Sequence, residues 1–173
     1  MIKNYTTYKI LQLFFDFPSK RFQLREICRL VKLGMPSVTL HIKRLVKEDL
    51  IEKIEEGIYP SYIATNNEIF KLYKRNDIII RIHESGLTEF LEGEFTPDAI
   101  ILFGSASRGE DIENSDIDLL IISKKKPVNL MKFEKKLNRK INILYESSTK
   151  NLPNELLNNI INGIVIYGYL KVY

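Results

Sequence analysis

The chain has 173 residues, of which 45% are hydrophobic, and this length permits one sizeable core or two small ones. Its 26 basic and 22 acidic side chains leave a net charge of +4, which permits contact with nucleic acid without requiring it. A single cysteine, Cys28, excludes an internal disulfide framework, and the lack of an export signal or of an apolar run of roughly 20 residues predicts a cytoplasmic protein with no membrane partner.

Apolar side chains at helical spacing predict three helices in the first 50 residues. The three stripes are Tyr8, Leu11 and Phe15; Leu24, Ile27, Cys28 and Val31; and Val38, Ile42, Leu45 and Val46. Pro36 opens the third helix, where its fixed φ angle suits a first helical position. Two short runs around Glu56-Gly57 then predict a β-hairpin, and Pro60 would confine its strand to a sheet edge.

The second half of the chain changes in style. A long helix is expected from Asn66 to Gly86, with an asparagine as its cap. Beyond Pro97, apolar runs typical of strands alternate with charged helical ones, which predicts an α/β arrangement. The predicted strands are 99–103, 117–122 and 141–145, and the predicted helices surround 131–137 and 156–161. We therefore expect a first domain at 1–65, a connecting helix at 66–86 and a second domain at 87–173.

The segment from Ser37 to Ile51, together with Leu24-Arg25-Glu26-Ile27-Cys28 before it, resembles the helix-turn-helix of winged-helix regulators. This resemblance covers the first 65 residues and implies three helices plus a β-hairpin wing, with the third helix entering the major groove of duplex DNA. The DNA-facing candidates that it implies are Ser37, Thr39, Leu40, Lys43, Arg44 and Lys47.

Two features leave a protein-docking or purely structural role open for this domain. Leu40 is apolar at a position where regulators carry a polar reader, and Glu55-Glu56 places negative charge at the wing tip. His41 is expected to be a half-buried structural residue, because a lone histidine has no partners for a metal site. A homodimer is a further possibility.

Two acidic residues stand one apart at the start of the run Asp116-Ile117-Asp118-Leu119. Strand side chains alternate, so Asp116 and Asp118 are expected on one face of the sheet. Two carboxylates this close repel each other unless a cation offsets their charge, and Mg²⁺ suits them because it prefers few protein oxygens together with phosphate oxygens.

The turn Gly104-Ser105 stands where a strand ends and a helix begins. Glycine permits close approach of a ligand, and the first turn of a helix offers free N–H groups to an anion such as phosphate. A phosphate cradle beside a pair of metal-binding carboxylates is what transfer of a nucleotide from a triphosphate requires.

Gly104-Ser105, Arg108-Gly109 and the run from Ser115 to Leu119 resemble the minimal nucleotidyltransferases of the DNA polymerase beta superfamily, some of which act as antitoxins. This resemblance covers the last 80 or so residues and implies a small α/β domain with a mixed sheet, so that the whole chain is of the α+β class. It implies catalytic and metal-binding roles for Asp116 and Asp118, with Mg²⁺ or Mn²⁺ as the metal. It also implies a nucleoside triphosphate held by Gly104, Ser105, Ser107, Arg108 and Ser115.

The family's third carboxylate is replaced here by Asn142, in the triplet Ile141-Asn142-Ile143. An amide can still ligate a metal through its oxygen, but it can neither accept a proton nor neutralise a cation. Two hypotheses follow. The first is an enzyme that transfers a nucleoside monophosphate to a hydroxyl of a protein (a toxin, for example), an RNA or a small molecule. The second is a catalytically impaired, nucleotide-sensing DNA-binding transcriptional regulator.

Overall fold

The computed structural model describes residues 5–171, in which helices and strands are mixed. Backbone contacts divide the chain into an N-terminal unit that extends to Lys74 and a C-terminal unit that begins at Arg75. The start of the predicted domain at 1–65 and the end of the predicted domain at 87–173 lie outside the described residues. None of the described helices is both long enough and apolar enough to cross a membrane.

The N-terminal unit contains three helices and a β-hairpin, followed by the first residues of a fourth helix. Its elements are α1 (Thr6–Asp16), β1 (Phe22–Gln23), α2 (Leu24–Val31), α3 (Met35–Lys47), β2 (Ile51–Ile54) and β3 (Ser61–Ala64). The predicted stripes pack inward: Val38, Ile42 and Leu45 of α3 are buried beside Ile27 and Val31 of α2. This burial of apolar area against a common core stabilises the three helices together.

The edge position predicted for the strand that follows Pro60 is wrong. The sheet order is β1-β3-β2, so β3 is the central strand. Pro60 stands one residue before β3, and its missing N–H therefore breaks no hydrogen bond of the ladder. The other edge of β3 is covered by the two-residue strand β1, which pairs Phe22 with Tyr62.

Helix α4 (Glu68–Ser85) is capped by the asparagine that follows the predicted one. The Asn67 Oδ1 accepts the backbone N–H of Phe70 at 2.8 Å, whereas Asn66 adopts a positive φ of 55°. Phe70 belongs to the N-terminal core and Ile82 to the C-terminal core, so this helix supplies apolar side chains to both units.

The C-terminal unit is built on a four-stranded mixed sheet. After α4 its elements are α5 (Leu87–Phe95), β4 (Ala99–Phe103), α6 (Gly104–Arg108), β5 (Ile117–Ile122), α7 (Met131–Leu137), β6 (Ile141–Glu146), a 3-10 turn (Thr149–Asn151), α8 (Asn154–Ile161) and β7 (Ile164–Gly168). The strand order is β6-β5-β4-β7, with β5 and β6 parallel and the other pairs antiparallel. A mixed sheet was expected here, but β7 has no counterpart among the predicted strands.

The two central strands, β4 and β5, are buried on both faces. Leu102 and Leu119 pack into one apolar cluster with α5 and α7, while Ile101 and Leu120 pack into another with α8. Apart from Phe103 and Asp118, every side chain of these strands is buried, so a slip of one residue would turn each of them away from the apolar cluster that it fits. The register of the sheet, and with it the position of every polar group at its edge, is therefore strongly specified.

Candidate active site

The strand register brings three sequence-distant segments together at one end of the sheet. Phe103, the last residue of β4, pairs with Asp118 of β5, and Asp118 pairs in turn with Asn142 of β6. Gly104 follows directly after β4, and Asp116 stands one residue before β5. The β4–α6 turn and the first residues of β5 and β6 therefore meet at the same end of the sheet.

The carboxylates of Asp116 and Asp118 lie on one side of the sheet and converge on a single atom. The side-chain nitrogen of Asn142, Nδ2, donates to Asp116 Oδ2 at 3.0 Å and to Asp118 Oδ1 at 3.2 Å. An amide nitrogen carries two hydrogens, so it can serve both acceptors at once. Asn142 is exposed and the two aspartates are half-buried, which leaves the cluster open to a ligand.

Gly104 is required at its position by conformation and by space. Its φ of +73° lies in the left-handed region, which L-residues with a side chain adopt at a cost. A Cβ atom at this position would stand 2.6 Å from Asp118 Oδ2, closer than two such atoms can approach. The glycine therefore lets the turn pass directly beside the Asp118 carboxylate.

Helix α6, which begins at this glycine, has only five residues, so its dipole is small. Ser105, its second residue, is half-buried. Ser107 is not brought to the open cluster: its side chain is buried, and its hydroxyl donates to the Gly104 carbonyl oxygen at 2.8 Å. Arg108 is exposed and donates through Nε to Glu110 at 2.7 Å.

A buried ion pair fixes the loop that leads into β5. Arg139, which precedes β6, donates to Asp111 in the loop after α6, and both side chains are almost fully buried. Ser115 supports the same loop, because its Oγ accepts the backbone N–H of Ile112 at 2.9 Å. Removing one partner of such a buried pair typically costs about 3–5 kcal/mol. The sequence contains no local signal for this pair, because its members are 28 residues apart.

A cleft of about 460 Å³ opens on the Asp116 side of the carboxylate pair. The loop before β5, helix α7 and the loop before β6 form its walls. The lining residues are Glu113, Asn114, Ser115, Asp116, Met131, Glu134, Lys135, Asn138, Arg139 and Lys140. Asp116 is the member of the carboxylate pair that lines it, whereas Asp118, Gly104 and Ser105 lie outside its lining.

Residues 86–170 match the family model described as Polymerase beta, Nucleotidyltransferase. They form a nucleotidyltransferase-fold domain. The matched segment includes the glycine turn, both aspartates and Asn142, whereas α1 to β3 lie outside it. No curated protein matches the chain.

The polar groups of the nucleotidyltransferase domain fit one divalent cation at the carboxylate pair. Two carboxylate oxygens converge there, and Mg²⁺ typically takes one or two carboxylates and completes its shell with water and phosphate oxygens. Within residues 5–171, no group of three or more His, Cys, Asp or Glu side chains is placed to hold a metal ion. A second cation would therefore depend on Asn142 and on ligand oxygens.

The exposed face of α3 in the N-terminal unit carries basic side chains, unlike the carboxylate pair. Lys43, Arg44 and Lys47 are exposed, as is Leu40, whereas Ser37 and Thr39 are half-buried. His41 is half-buried and lies 2.7 Å from the Thr7 hydroxyl through Nδ1, as expected of a structural residue.

The acidic tip of the β2–β3 hairpin is paired within the unit. Glu56 accepts from Arg21, and Glu55 accepts from Lys53, whose hydrogen bond and charge hold the pKa of Glu55 below its usual value. The negative charge that Glu55-Glu56 would present to a phosphate backbone is therefore partly offset.

Proposed function

We propose that the chain is a nucleotidyltransferase that binds a nucleoside triphosphate together with Mg²⁺ or Mn²⁺ and transfers a nucleoside monophosphate to a hydroxyl. The observation that carries the proposal is the convergence of Asp116 and Asp118 on one point beside the Gly104 turn. Two carboxylates at one point do not stabilise the hydrophobic core, and they repel each other in the absence of a cation.

Each residue has a role that its position supports. Asp116 and Asp118 hold the cation, and the backbone of Gly104 and Ser105 receives the phosphates. Arg108, which is exposed and paired only with Glu110 among the described contacts, supplies positive charge to the outer phosphates. Ser107 and Ser115 act through hydrogen bonds that shape the turn and the loop. A divalent cation bound there would neutralise charge on the phosphate oxygens and lower the pKa of the attacking hydroxyl.

The acceptor enters through the cleft beside Asp116. Asp116 lines this cleft and the glycine turn does not, so in this proposal the acceptor and the nucleotide reach the cation through different parts of the site. An in-line displacement at phosphorus needs the attacking and leaving oxygens on opposite sides of the phosphorus atom. The walls of the cleft carry both acidic and basic side chains. They therefore do not favour one class of acceptor among a protein, an RNA and a small molecule.

The test is transfer of label from α-³²P nucleoside triphosphates. The full chain is incubated with each of the four triphosphates, Mn²⁺ or Mg²⁺, and the protein, RNA and small-molecule fractions of a lysate. We expect one fraction to be labelled with a divalent cation and none to be labelled with EDTA. If the chain binds nucleotide and no fraction is labelled, the transferase proposal fails.

For the N-terminal unit we propose a winged-helix fold that binds duplex DNA through α3. Two observations support this proposal: three helices are followed by a hairpin, and the exposed side of α3 carries a row of basic side chains. Lys43, Arg44 and Lys47 would contact phosphates, while Ser37, Thr39 and Leu40 lie nearer the bases. The measurement is the salt dependence of affinity for random duplex DNA, since groove docking through several phosphates makes affinity fall steeply as salt rises.

A second candidate function is favoured by Asn142. Because its amide cannot take a proton or neutralise a cation, the site is better equipped to bind a nucleotide than to activate an acceptor. The chain would then be a nucleotide-sensing DNA-binding regulator. A change in DNA affinity on addition of Mg²⁺ and triphosphate, without transfer of label, would favour this candidate over the enzyme.

A further inference from the structure

Asn142 stands where a cation would be expected. Its Nδ2 atom is 3.0 Å from Asp116 Oδ2 and 3.2 Å from Asp118 Oδ1. A cation held by both of these oxygens would need the lone pairs to which the amide hydrogens are now bonded. The amide and such a cation therefore compete for the same two oxygens.

We propose that Asn142 is an internal substitute for the metal, which keeps the carboxylate pair together in the nucleotide-free protein and admits a cation only when triphosphate oxygens arrive with it. This inference rests on the proposed function, because it concerns the same site. Asn142 would then determine when the cation binds, and would not simply mark the loss of the third carboxylate.

The chemistry of the amide supports this role. Two carboxylates one residue apart repel each other, and hydrogen bonds from one NH₂ group to both relieve part of that repulsion without adding charge. Bonds to charged acceptors are stronger than those between neutral groups, so displacing the amide has a cost that a bare aqueous cation must meet. A cation that arrives with triphosphate meets it more easily, because the phosphates add contacts of their own with the protein, at the Gly104-Ser105 turn of the proposed function.

The place of Asn142 in the fold permits the displacement. Strand β6 is an edge strand, and the Asn142 side chain is exposed. Its neighbour Ile141 is buried and holds the backbone in register with Ile117 of β5. The side chain can therefore rotate away from the aspartates while the strand stays in place.

The two readings of Asn142 predict opposite effects of removing its side chain. If the amide competes with the cation, Asn142→Ala should bind a bare cation more tightly than the natural chain does. If the amide oxygen is instead a metal ligand, the same variant should bind the cation more weakly. Asn142→Asp should bind most tightly under either reading, because it adds a third carboxylate.

The experiment is a calorimetric titration of the full chain with Mn²⁺ alone and with a preformed complex of Mn²⁺ and inorganic tripolyphosphate. We expect the natural chain to bind the complex and to bind Mn²⁺ alone weakly. We expect Asn142→Ala to bind Mn²⁺ alone about tenfold more tightly, the scale of one hydrogen bond to a charged group. Binding of the complex should tighten by a similar factor, because the complex displaces the same amide.

Unchanged or weaker binding of Mn²⁺ by Asn142→Ala would overturn the inference and leave the proposed function intact, provided that the natural chain binds the complex. If neither the natural chain nor Asn142→Asp binds Mn²⁺ in either form, the proposed function fails as well. Asn158→Ala, an exposed asparagine on α8, is the matched control, and it should leave both titrations unchanged. Thermal unfolding of each variant checks that the fold is retained.

Discussion

In the functions proposed above, the carboxylate pair of the C-terminal unit and the α3 face of the N-terminal unit would each bind a phosphate ligand, in two different ways. In the first, the backbone register of three strands places Asn142 Nδ2 within 3.2 Å of one oxygen of Asp116 and one of Asp118. In the second, Lys43, Arg44 and Lys47 project into solvent from one helix. The first arrangement is convergent and the second is diffuse.

This difference sets the size of the effects to be expected from substitution. A convergent site depends on each of its few groups, so the loss of one should cost orders of magnitude. A diffuse cationic surface shares its work among several long side chains, so each one should contribute little. A large effect on α3, or a small one at the carboxylate pair, would contradict the comparison.

The largest effect is expected for Asp118→Asn. This variant removes one of two carboxylates at the cation and leaves the β5 backbone and its buried neighbours unchanged. We expect binding of the Mn²⁺–tripolyphosphate complex to fall below detection and nucleotide transfer to fall by about 100- to 1,000-fold, with little change in the unfolding midpoint. Asp98→Asn, an exposed aspartate just before β4, is the control and should change neither quantity. Unaltered affinity for the complex in Asp118→Asn would remove this residue from the site.

The next effect is expected for Gly104→Ala, with Gly86→Ala as its matched control. Both glycines have a φ near +75° (+73° and +80°), so both substitutions should destabilise the fold by a similar amount, about 1–2 kcal/mol. Only at Gly104 does the new Cβ meet Asp118 Oδ2, whereas the space around Gly86 is open to 4 Å. We expect transfer activity to fall towards the roughly 100-fold loss that a displacement of about 1 Å can cause.

The two glycine variants are compared by urea denaturation and by rate of transfer. Equal free energies of unfolding with unequal rates would assign the difference to the displaced carboxylate. Equal rates would show that the Asp118 side chain can move aside without loss, and that the close approach of the turn has no part in the chemistry.

A smaller effect is expected for Met131→Trp, which narrows the cleft beside Asp116. Met131 is the first residue of α7 and is 61% exposed, so a larger side chain can be accommodated without disturbing the core. We expect the KM for the acceptor to rise by about tenfold while nucleotide affinity stays the same. Met131→Leu controls for the loss of the thioether. A fall in nucleotide affinity instead would place the nucleotide, and not the acceptor, in the cleft.

The sequence predicts the parts of this molecule whose causes are local. The period of two along Asp116-Ile117-Asp118 places both carboxylates on one side, and the apolar stripes of α2 and α3 give the buried residues of the N-terminal core. The nucleotidyltransferase-fold domain is confirmed by the family match over residues 86–170. The roles of the individual site residues in binding and catalysis stay predictions.

What the sequence does not predict depends on partners that are distant along the chain. The amide nitrogen of Asn142 lies between the carboxylates because β5 and β6 are parallel in one particular register, which no local pattern specifies. Strand β3 is central because a two-residue strand pairs with its free edge. The Arg139–Asp111 pair joins two loops, and neither sequence stretch differs visibly from an ordinary exposed loop.

The smallest effect is expected for single lysine substitutions on α3. The slope of log affinity against log salt is negative, and its magnitude counts the neutralised phosphates. If Lys43 and Lys47 each neutralise one phosphate, Lys43→Ala and Lys47→Ala should each reduce that magnitude by about 1, and the double variant by about 2. Binding should weaken to a similar degree on every duplex, because phosphate contacts carry no sequence information. Lys9→Ala, an exposed lysine on α1, is the control and should leave the slope unchanged. If all three variants keep the natural slope, DNA does not dock on α3, and the exposed Leu40 at the middle of that face would instead favour a protein partner.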